Sequence, residues 1–285
     1  PASSRRTRPT NPARNSNGVT AMPAVTGATA AIGVTRENRN QANMSDNTEW
    51  ATPQKILVVL AHPDDPEFFC GATIARWTKQ GHQVAYCLLT RGDKGGSDLS
   101  ISPEELSARR EIEQRAAAAC LGVHSVQFLD FQDGYLTPDL TARKAVVRVI
   151  RAYRPDVLVS CDPTNYFPRE NYLNHPDHRA AGQIVADAVF PAAGNPYFFP
   201  ELIREEGLQP HSVRELWLSL TANPNLILDI TSTWGDKVSA LHQHRSQIGP
   251  DTAAFDERMA SRRVPESDPA APRFEERFRR LVFQG

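Results

Sequence analysis

The chain has 285 residues, 32 Lys+Arg against 33 Asp+Glu for a formal net charge of −1, and 40% hydrophobic residues. That apolar content excludes a wholly disordered chain, and the balanced charge argues against a whole-protein grip on nucleic acid. No run of about 18 apolar residues occurs, so no membrane span is expected. The first fifty residues stand apart. Up to Asn43 they carry Arg5, Arg6, Arg8, Arg14, Arg36 and Arg39 against the single acid Glu37, with almost no large apolar side chains. Such a stretch cannot bury enough surface to offset its chain entropy, so residues 1–50 are expected to be disordered. Their Arg-rich, acid-poor composition also fits a transit peptide, but no sustained amphipathic period accompanies it. Residues 18–34 are too broken by Pro, Gly and Thr for a secretory signal. Met44 is an alternative start, which would leave the preceding residues outside the working protein.

From Lys55 the pattern changes. Residues 56–61 are a continuous apolar run of strand length, as a strand covered on both faces requires. A polar loop follows, then a helix over 71–79 closed by Gly81, and a strand over 83–90. Residues 103–121 read as a helix, with Ser102 as cap, Pro103 at its first position and Gly122 just past its end. A short strand at 126–129, a helix at 139–153, a strand at 156–161 and a helix at 175–190, ended by Pro191, complete the strong signal. Beyond it, 217–220 and 226–230 read as strands and 231–247 as a helix. The tail from 249 carries Pro265, Pro269 and Pro272 and then an Arg/Glu/Phe helix. Alternating strands and helices predict an α/β fold, a Rossmann-like three-layer sandwich with a mostly parallel central sheet, as one domain over 51–285. Its active site is expected at the carboxyl ends of the strands. Cys70, Cys87, Cys120 and Cys161 lie far apart, each in or beside an apolar stretch, and read as buried free thiols in a reducing, cytoplasmic setting.

Two of the strand-end loops carry chemistry. The loop after the first strand is His62-Pro63-Asp64-Asp65-Pro66-Glu67. The loop after the fourth ends in Asn174-His175-Pro176-Asp177-His178. Each sets imidazole beside carboxylate at the same edge of the predicted sheet. Two His and one Asp make an open zinc set with a position left for water. Zinc lowers the pKa of that water to about 7. A further carboxylate can accept its proton, and a further His can stabilise the oxyanion that develops on the substrate. Pro63 and Pro176 stiffen the two loops. The adjacent Asp pair alone would equally suit Mg²⁺; the second His/Asp loop favours the transition-metal reading.

These residues resemble the LmbE-like, or PIG-L, zinc-dependent de-N-acetylases. The likeness rests on Ala61-His62-Pro63-Asp64-Asp65 with Glu67, on His175-Pro176-Asp177-His178, on the Thr-x-Gly-x-x-Gly loop from Thr90 to Gly95, and on an Arg-x-x-Glu helix with Arg110 and Glu113. It spans about residues 55–189 and extends toward 247. The resemblance implies that His62, Asp65 and His178 hold Zn²⁺, although His and carboxylate ligands suit Fe²⁺ as well. It implies Asp64 as general base and His175, protonated and backed by Asp177, as the group that polarises the acetyl carbonyl. It places Arg110 and Asp133 at positions that contact sugar hydroxyls in relatives. Two departures stand out: the tyrosine that some relatives carry two residues before His175 is replaced by Leu173, with Tyr172 one place earlier, and Pro66 separates Glu67 from the Asp pair. The implied activity is removal of an N-acetyl group from an amino sugar or its conjugate, such as an N-acetylglucosaminyl compound. The alternatives are an amidase on a sugar-thiol conjugate and a non-catalytic metal- or sugar-binding protein. A small-molecule amino-sugar substrate, no nucleic acid and a homo-oligomer, a trimer or hexamer, complete the expectation.

Other features receive plain readings. Gly92, Gly95 and Gly96 make only a weak phosphate cradle. His242 and His244 are expected to be exposed on a helix, and Arg279 and Arg280 on a solvated helix face. Tyr197, Phe198, Phe199 and Trp217 are assigned to core packing in preference to a sugar-stacking wall.

Overall fold

The computed structural model describes residues 50–283. The expected disordered segment and the alternative start at Met44 lie outside these residues, Trp50 excepted. β1 (Lys55–Leu60), α1 (Asp65–Lys79), β2 (Gln83–Thr90), α2 (Pro103–Cys120), β3 (Ser125–Phe131), α3 (Leu140–Tyr153), β4 (Val157–Cys161) and α4 (Pro176–Asp187) alternate regularly. They are followed by α5 (Pro200–Arg204), β5 (Glu215–Ser219), β6 (Leu226–Asp229), α6 (Trp234–Leu241), α7 (Arg245–Ile248), α8 (Thr252–Ala260) and β7 (Glu275–Val282). The seven strands form one sheet in the order β3-β2-β1-β4-β5-β7-β6. The first five run parallel, and β7 lies antiparallel between β5 and β6.

The residues of β1 show why the sheet is central. Ile56, Val58 and Leu60 pack on one side with Ile74 and Trp77 of α1 and Ala118 of α2. Leu57 and Val59 pack on the other with Val146 and Ile150 of α3 and Ile184 and Val185 of α4. Both faces of the strand are therefore dry, and the chain forms the expected three layers. Helix ends follow local chemistry. Ser102 and Glu105 make a reciprocal capping box at α2, and the Asp139 carboxylate accepts from the Ala142 amide at α3. Trp50 packs against Trp77 and Trp217 and donates to Glu215 at 2.8 Å, which joins residue 50 to this body.

Several expectations change beyond Pro191. The tail does not end in a helix: residues 275–282 are β7. Glu276 and Phe278 point inward and Arg277 and Arg279 outward, a period of two. The charge of Glu276 hid that period. It is neutralised by Lys237 at 2.6 Å and accepts from the Thr73 amide at 2.8 Å. Arg280 is not on a solvated helix face but on this strand, paired with Glu215 at 2.8 Å. The helix expected over 231–247 is divided into a 3₁₀ turn, α6 and α7, with the break at 242–244. Cys120 is exposed at the end of α2, whereas Cys70, Cys87 and Cys161 are buried; all four are free thiols. Of the four aromatics assigned to the core, Trp217 is buried and Phe198 and Phe199 pack partly buried against the core, whereas Tyr197 is exposed.

β1 and β4 are neighbours, but the chain leaves β1 toward β2 and leaves β4 toward β5. The loops at their carboxyl ends therefore diverge and open a crevice. Thr90, at the end of β2, fixes the floor of that crevice: its amide and hydroxyl both donate to the Ala61 carbonyl, at 2.9 and 3.0 Å. Gly182 lets α4 descend onto the end of β4, because a Cβ there would lie 2.3 Å from the Cys161 carbonyl oxygen. The two His/Asp loops meet over this point.

Candidate metal centre and active site

In the loop after β1, the His62 amide donates to the Asp65 carboxylate at 2.8 Å and the Asp65 amide to the His62 carbonyl at 3.3 Å. This turn brings Asp65 back beside the ring, with Nδ1 to Oδ2 at 3.4 Å. Between them Asp64 has φ 88°, a left-handed conformation that non-glycine residues seldom adopt. The structure holds it there from two sides. The Asp64 amide donates to Gln114 at 2.8 Å, and its carboxylate accepts from Arg110 at 3.3 Å.

The loop after β4 is fixed by Asn174. Its side-chain amide donates to the Asn165 carbonyl, which leaves Oδ1 to accept from His178 Nδ1 at 3.1 Å. His178 Nε2 is thereby turned toward Asp65, at 3.1 Å, and His62 Nδ1, at 3.3 Å. The other nitrogen of His62 is committed as a donor: Nε2 faces Asp133 at 3.1 Å and Asp177 at 3.2 Å. His62 Nδ1 and His178 Nε2 thus face the same point, with carboxylates or an amide fixing the opposite nitrogen of each ring. A tetrahedral ion with bonds of about 2.0–2.1 Å has donor–donor edges of about 3.3–3.4 Å. His62 Nδ1 and His178 Nε2 lie 3.3 Å apart, with Asp65 Oδ1 3.1 Å from His178 and Asp65 Oδ2 3.4 Å from His62, so the three side chains gather at one point on that scale.

Two three-donor groupings with atoms within 4.8 Å of one another share His62, and neither includes Asp65. One adds His175 and His178, the other Asp133 and Asp177. The second is better read as bracing: Asp177 already accepts from the amides of Gly134 at 2.7 Å and Leu136 at 3.3 Å, and Asp133 from the Lys94 amide at 2.9 Å.

The electrostatics agree that this point expects positive charge. Burial disfavours a charged His62, yet Asp65, Asp133 and Asp177 outweigh it and raise its pKa to about 12. Burial would raise Asp65, but His178 and His62 pull it well below the usual carboxylate range. Burial lifts Asp64 to about 6, with Arg110 opposing and Asp65 adding to the rise.

His175 departs from its expected state. Its Nδ1 accepts from the Asp177 amide at 3.2 Å, so the ring caps α4. No hydrogen bond joins it to the Asp177 carboxylate, which faces His62 instead. Burial, His62 and His178 lower its pKa. With Nδ1 accepting, Nε2 is the ring nitrogen left to donate.

Arg110 and Asp133 line the cavity but are already engaged. Arg110 is 3% exposed and donates to the carbonyls of Gly92 at 3.0 Å and Pro63 at 2.6 Å. This explains the glycine loop: a Cβ on Gly92 or Gly95 would lie 2.3 or 2.1 Å from the Arg110 guanidinium. The loop cradles an arginine. Glu113 accepts from the Ser246 amide and hydroxyl, at 2.9 and 2.6 Å, and ties α7 to α2.

Sequence reasoning missed three supporting residues. Asn174 adjoins His175, and Gln114 lies four residues after Arg110 on one helix face; both positions carried a spacing signal. His244 carried none. It is fully buried, not exposed, and Nε2 donates to Glu67 at 3.1 Å. Gln114 donates to both Glu67 oxygens at 3.0 Å while accepting from the Asp64 amide. A buried chain from His244 through Glu67 and Gln114 therefore ends on the backbone of Asp64.

The site opens on a cavity of about 950 Å³, lined also by Phe68, Phe69, Tyr172, Trp234 and several arginines. Tyr172 is 56% exposed on the rim.

The sequence matches the family described as PIG-L, GlcNAc-PI de-N-acetylase, over residues 57–189. It is 39% identical over 206 residues to diacetylchitobiose deacetylase of Thermococcus kodakarensis, spanning 72% of this chain and 74% of that protein. It is 30% identical over 183 residues to 1D-myo-inositol 2-acetamido-2-deoxy-alpha-D-glucopyranoside deacetylase of Rhodococcus erythropolis, spanning 53% of this chain and 60% of that protein. The solved structure of N,N'-diacetylchitobiose deacetylase from Pyrococcus horikoshii superposes with a TM-score of 0.74 at 28% identity, covering 89% of this chain and 95% of that one.

Proposed function

The chain belongs to the PIG-L (LmbE-like) de-N-acetylase family and is an N-deacetylase, and from that premise we propose that it hydrolyses the N-acetyl group of an N-acetylglucosaminyl compound at a divalent metal held by His62, Asp65 and His178. The observation that carries this reading is the gathering of His62, Asp65 and His178, with contacts of 3.1–3.4 Å, beside Asp64 and His175 in one cavity. A zinc or iron(II) ion there supplies Lewis acidity, bringing the pKa of water to about 7 and polarising the acetyl carbonyl.

The protein's own groups do the rest. Asp64, held by Arg110 and the Gln114 contact, takes a proton from the attacking water. Its raised pKa makes it a stronger base than an ordinary carboxylate while leaving it ionised at neutral pH. His175 donates from Nε2 to the carbonyl oxygen as negative charge develops there, and does so as a neutral ring. Protonated Asp64 then delivers its proton to the departing nitrogen. The C–N bond breaks to give acetate and a free amine, with one water consumed. Asp177 and Asp133 orient His62.

No helix among the described residues is long and apolar enough to cross a membrane. The buried thiols of Cys70, Cys87 and Cys161 support a cytoplasmic setting, and a trimer or hexamer is the assembly we propose.

The test is metal analysis with acetate release from N-acetylglucosamine, its glycosides, diacetylchitobiose and N-acetylglucosaminyl-inositol. We expect about one divalent ion per chain, with activity abolished by chelation and restored by zinc or iron(II). Bound metal without acetate from any of these compounds would overturn the reading.

A further inference from the structure

Helix α1 is broken. Cys70 has φ −148° and ψ 20°, outside the helical range, so residues 65–69 and 71–79 are two segments joined across a kink. The short first segment carries groups of the site: Asp65 of the proposed metal set, Glu67, which braces the Asp64 backbone through Gln114, and Phe69, whose ring stands edge to face with His178 at 5.2 Å. The longer second segment is core, with Ile74 and Trp77 packed on the sheet.

A break of this kind strands backbone groups on both sides of it. In an unbroken helix the Ala72 amide would donate to the Phe68 carbonyl and the Thr73 amide to that of Phe69. Here the Phe68 carbonyl accepts from Lys237 Nζ at 2.9 Å. The Glu276 carboxylate accepts from the amides of Ala72 at 3.2 Å and Thr73 at 2.8 Å, and from the Thr73 hydroxyl. Lys237 and Glu276 pair with each other at 2.6 Å and are 3% and 5% exposed. The stem of Lys237 lies against the break, because a Cβ on Gly71 would be 3.3 Å from its Cγ. The Thr233 hydroxyl adds a bond to the Ala72 carbonyl at 2.8 Å. The charges suit the ends they meet, a cation on the carbonyl end of the first segment and an anion on the amide end of the second.

Lys237 lies on α6 and Glu276 on β7, both beyond the residues 57–189 that match the family. A buried ion pair adds little stability over apolar side chains of equal volume, and its best-attested use is to fix one geometry. We infer that Lys237 and Glu276 are positioning residues of the active site: clamped on the break in α1, they aim segment 65–69 so that Asp65 meets His62 and His178 and Asp64 keeps its place beside them. The C-terminal part of the chain thereby acts on the metal centre through α1. The inference rests on the metal centre proposed above.

The test uses the full chain with Co²⁺ as the probe. Lys237→Met keeps a stem beside Gly71 and removes the donor to Phe68. Lys237→Met/Glu276→Gln removes both charges, keeps an acceptor for the Thr73 amide and leaves no buried charge unpaired. Ile150→Ala, in the core on the opposite face of the sheet, is the control for lost stability alone. Both Lys237→Met variants should bind Co²⁺ about 10–100-fold more weakly in competition with a chelator, and the visible spectrum of the bound ion should change. At saturating metal, kcat on diacetylchitobiose should fall about 10–100-fold with KM little changed. Lys237→Arg, which retains donors for both partners, should recover most of the affinity and the wild-type spectrum. Ile150→Ala should unfold at lower urea and leave affinity, spectrum and kcat as in the wild type.

A double variant that unfolds more easily but keeps wild-type affinity, spectrum and kcat makes the pair a support of the fold alone and overturns the inference. Lys237 and Glu276 also line the cavity, so a raised KM at unchanged kcat and affinity would assign them to substrate binding and overturn it too. Where the Lys237→Met variants do not fold, Glu276→Gln alone decides by the same measurements. A wild type that binds Co²⁺ and hydrolyses nothing defeats the deacetylase reading, while affinity and spectrum still decide the inference. A wild type that binds no Co²⁺ defeats the metal centre and the inference with it.

Discussion

Two histidine–carboxylate sets flank the segment 62–67, built from the same residue types and put to different use. In the first, His62 Nδ1 and His178 Nε2 face each other at 3.3 Å with Asp65 beside both, and the group opens on the cavity. Two ring nitrogens at that distance share a proton or a cation between them. In the second, His244 Nε2 donates to Glu67, Gln114 donates to Glu67, and all three are fully buried. That set is sealed from the cavity, and its one unpartnered atom, His244 Nδ1, is buried away from the carboxylate. What separates a ligand from a strut is which ring nitrogen is already committed and whether the remaining one can be reached from the cavity.

The largest effect is expected where the two sets meet, at Asp64. Asp64→Asn keeps an acceptor for Arg110 and the backbone contact to Gln114, so metal content should match wild type. kcat should fall by about 10²–10⁴-fold, because the amide cannot take a proton. In the wild type the base must be ionised, so kcat should decline as pH drops through about 6 or below, a bound cation favouring the charged form. Acetate release by Asp64→Asn at the wild-type rate would remove Asp64 from the chemistry.

The second set should respond as structure does. His244→Leu leaves the Glu67 charge short of a partner in a dry site, a loss of about 3–5 kcal/mol in unfolding free energy by urea titration. Metal affinity of the folded fraction should hardly move. A variant that instead loses metal at unchanged stability would break the distinction between the sets.

His175→Ala tests the neutral donor. Removing a preorganised hydrogen bond to a developing oxyanion lowers kcat by about 10²–10³-fold. Metal content should remain, since His175 caps α4 and is not in the three-donor set. Loss of the ion along with activity would move His175 into that set, an arrangement the short spacing of His62, His175 and His178 makes worth excluding by metal analysis.

The two sets were not equally legible in the sequence. The first lies in two contiguous loops at the ends of apolar strands. Its spacing survives without tertiary knowledge, and β2, α2, α3 and β4 also match their expected limits closely. Direction was harder than position. Asp177 adjoins His175 in sequence, but two residues in a helix turn the side chain by about 200°, so its carboxylate reaches His62. Asp133 and Arg110 were legible as site residues by resemblance, but their engagement with His62 and with the glycine loop was not. The second set was invisible. His244 comes inward only because 231–247 breaks at 242–244, and nothing local signals that break. β7 was misread for a related reason: an inward Glu276 looks polar until Lys237 is beside it.

The smallest effect separates orientation from ligation within the first set. Asn174 touches neither the proposed ion nor the reacting atoms. It holds His178 by accepting from Nδ1 at 3.1 Å, and is itself anchored by its donation to the Asn165 carbonyl at 2.8 Å. Without it the ring can rotate or take the other tautomer, so Nε2 presents its lone pair for only part of the time. Asn174→Ala should therefore weaken metal binding by about 10–100-fold, read by competition with a chelator of known affinity. At saturating metal, kcat should recover to near the wild-type value, because Asp64 and His175 are untouched. Asn174→Asp should bind metal more tightly than Asn174→Ala, since a carboxylate can still accept from Nδ1. If saturating metal fails to restore kcat, Asn174 acts on the reaction beyond orienting His178, and the division between oriented and orienting groups drawn from these distances does not hold.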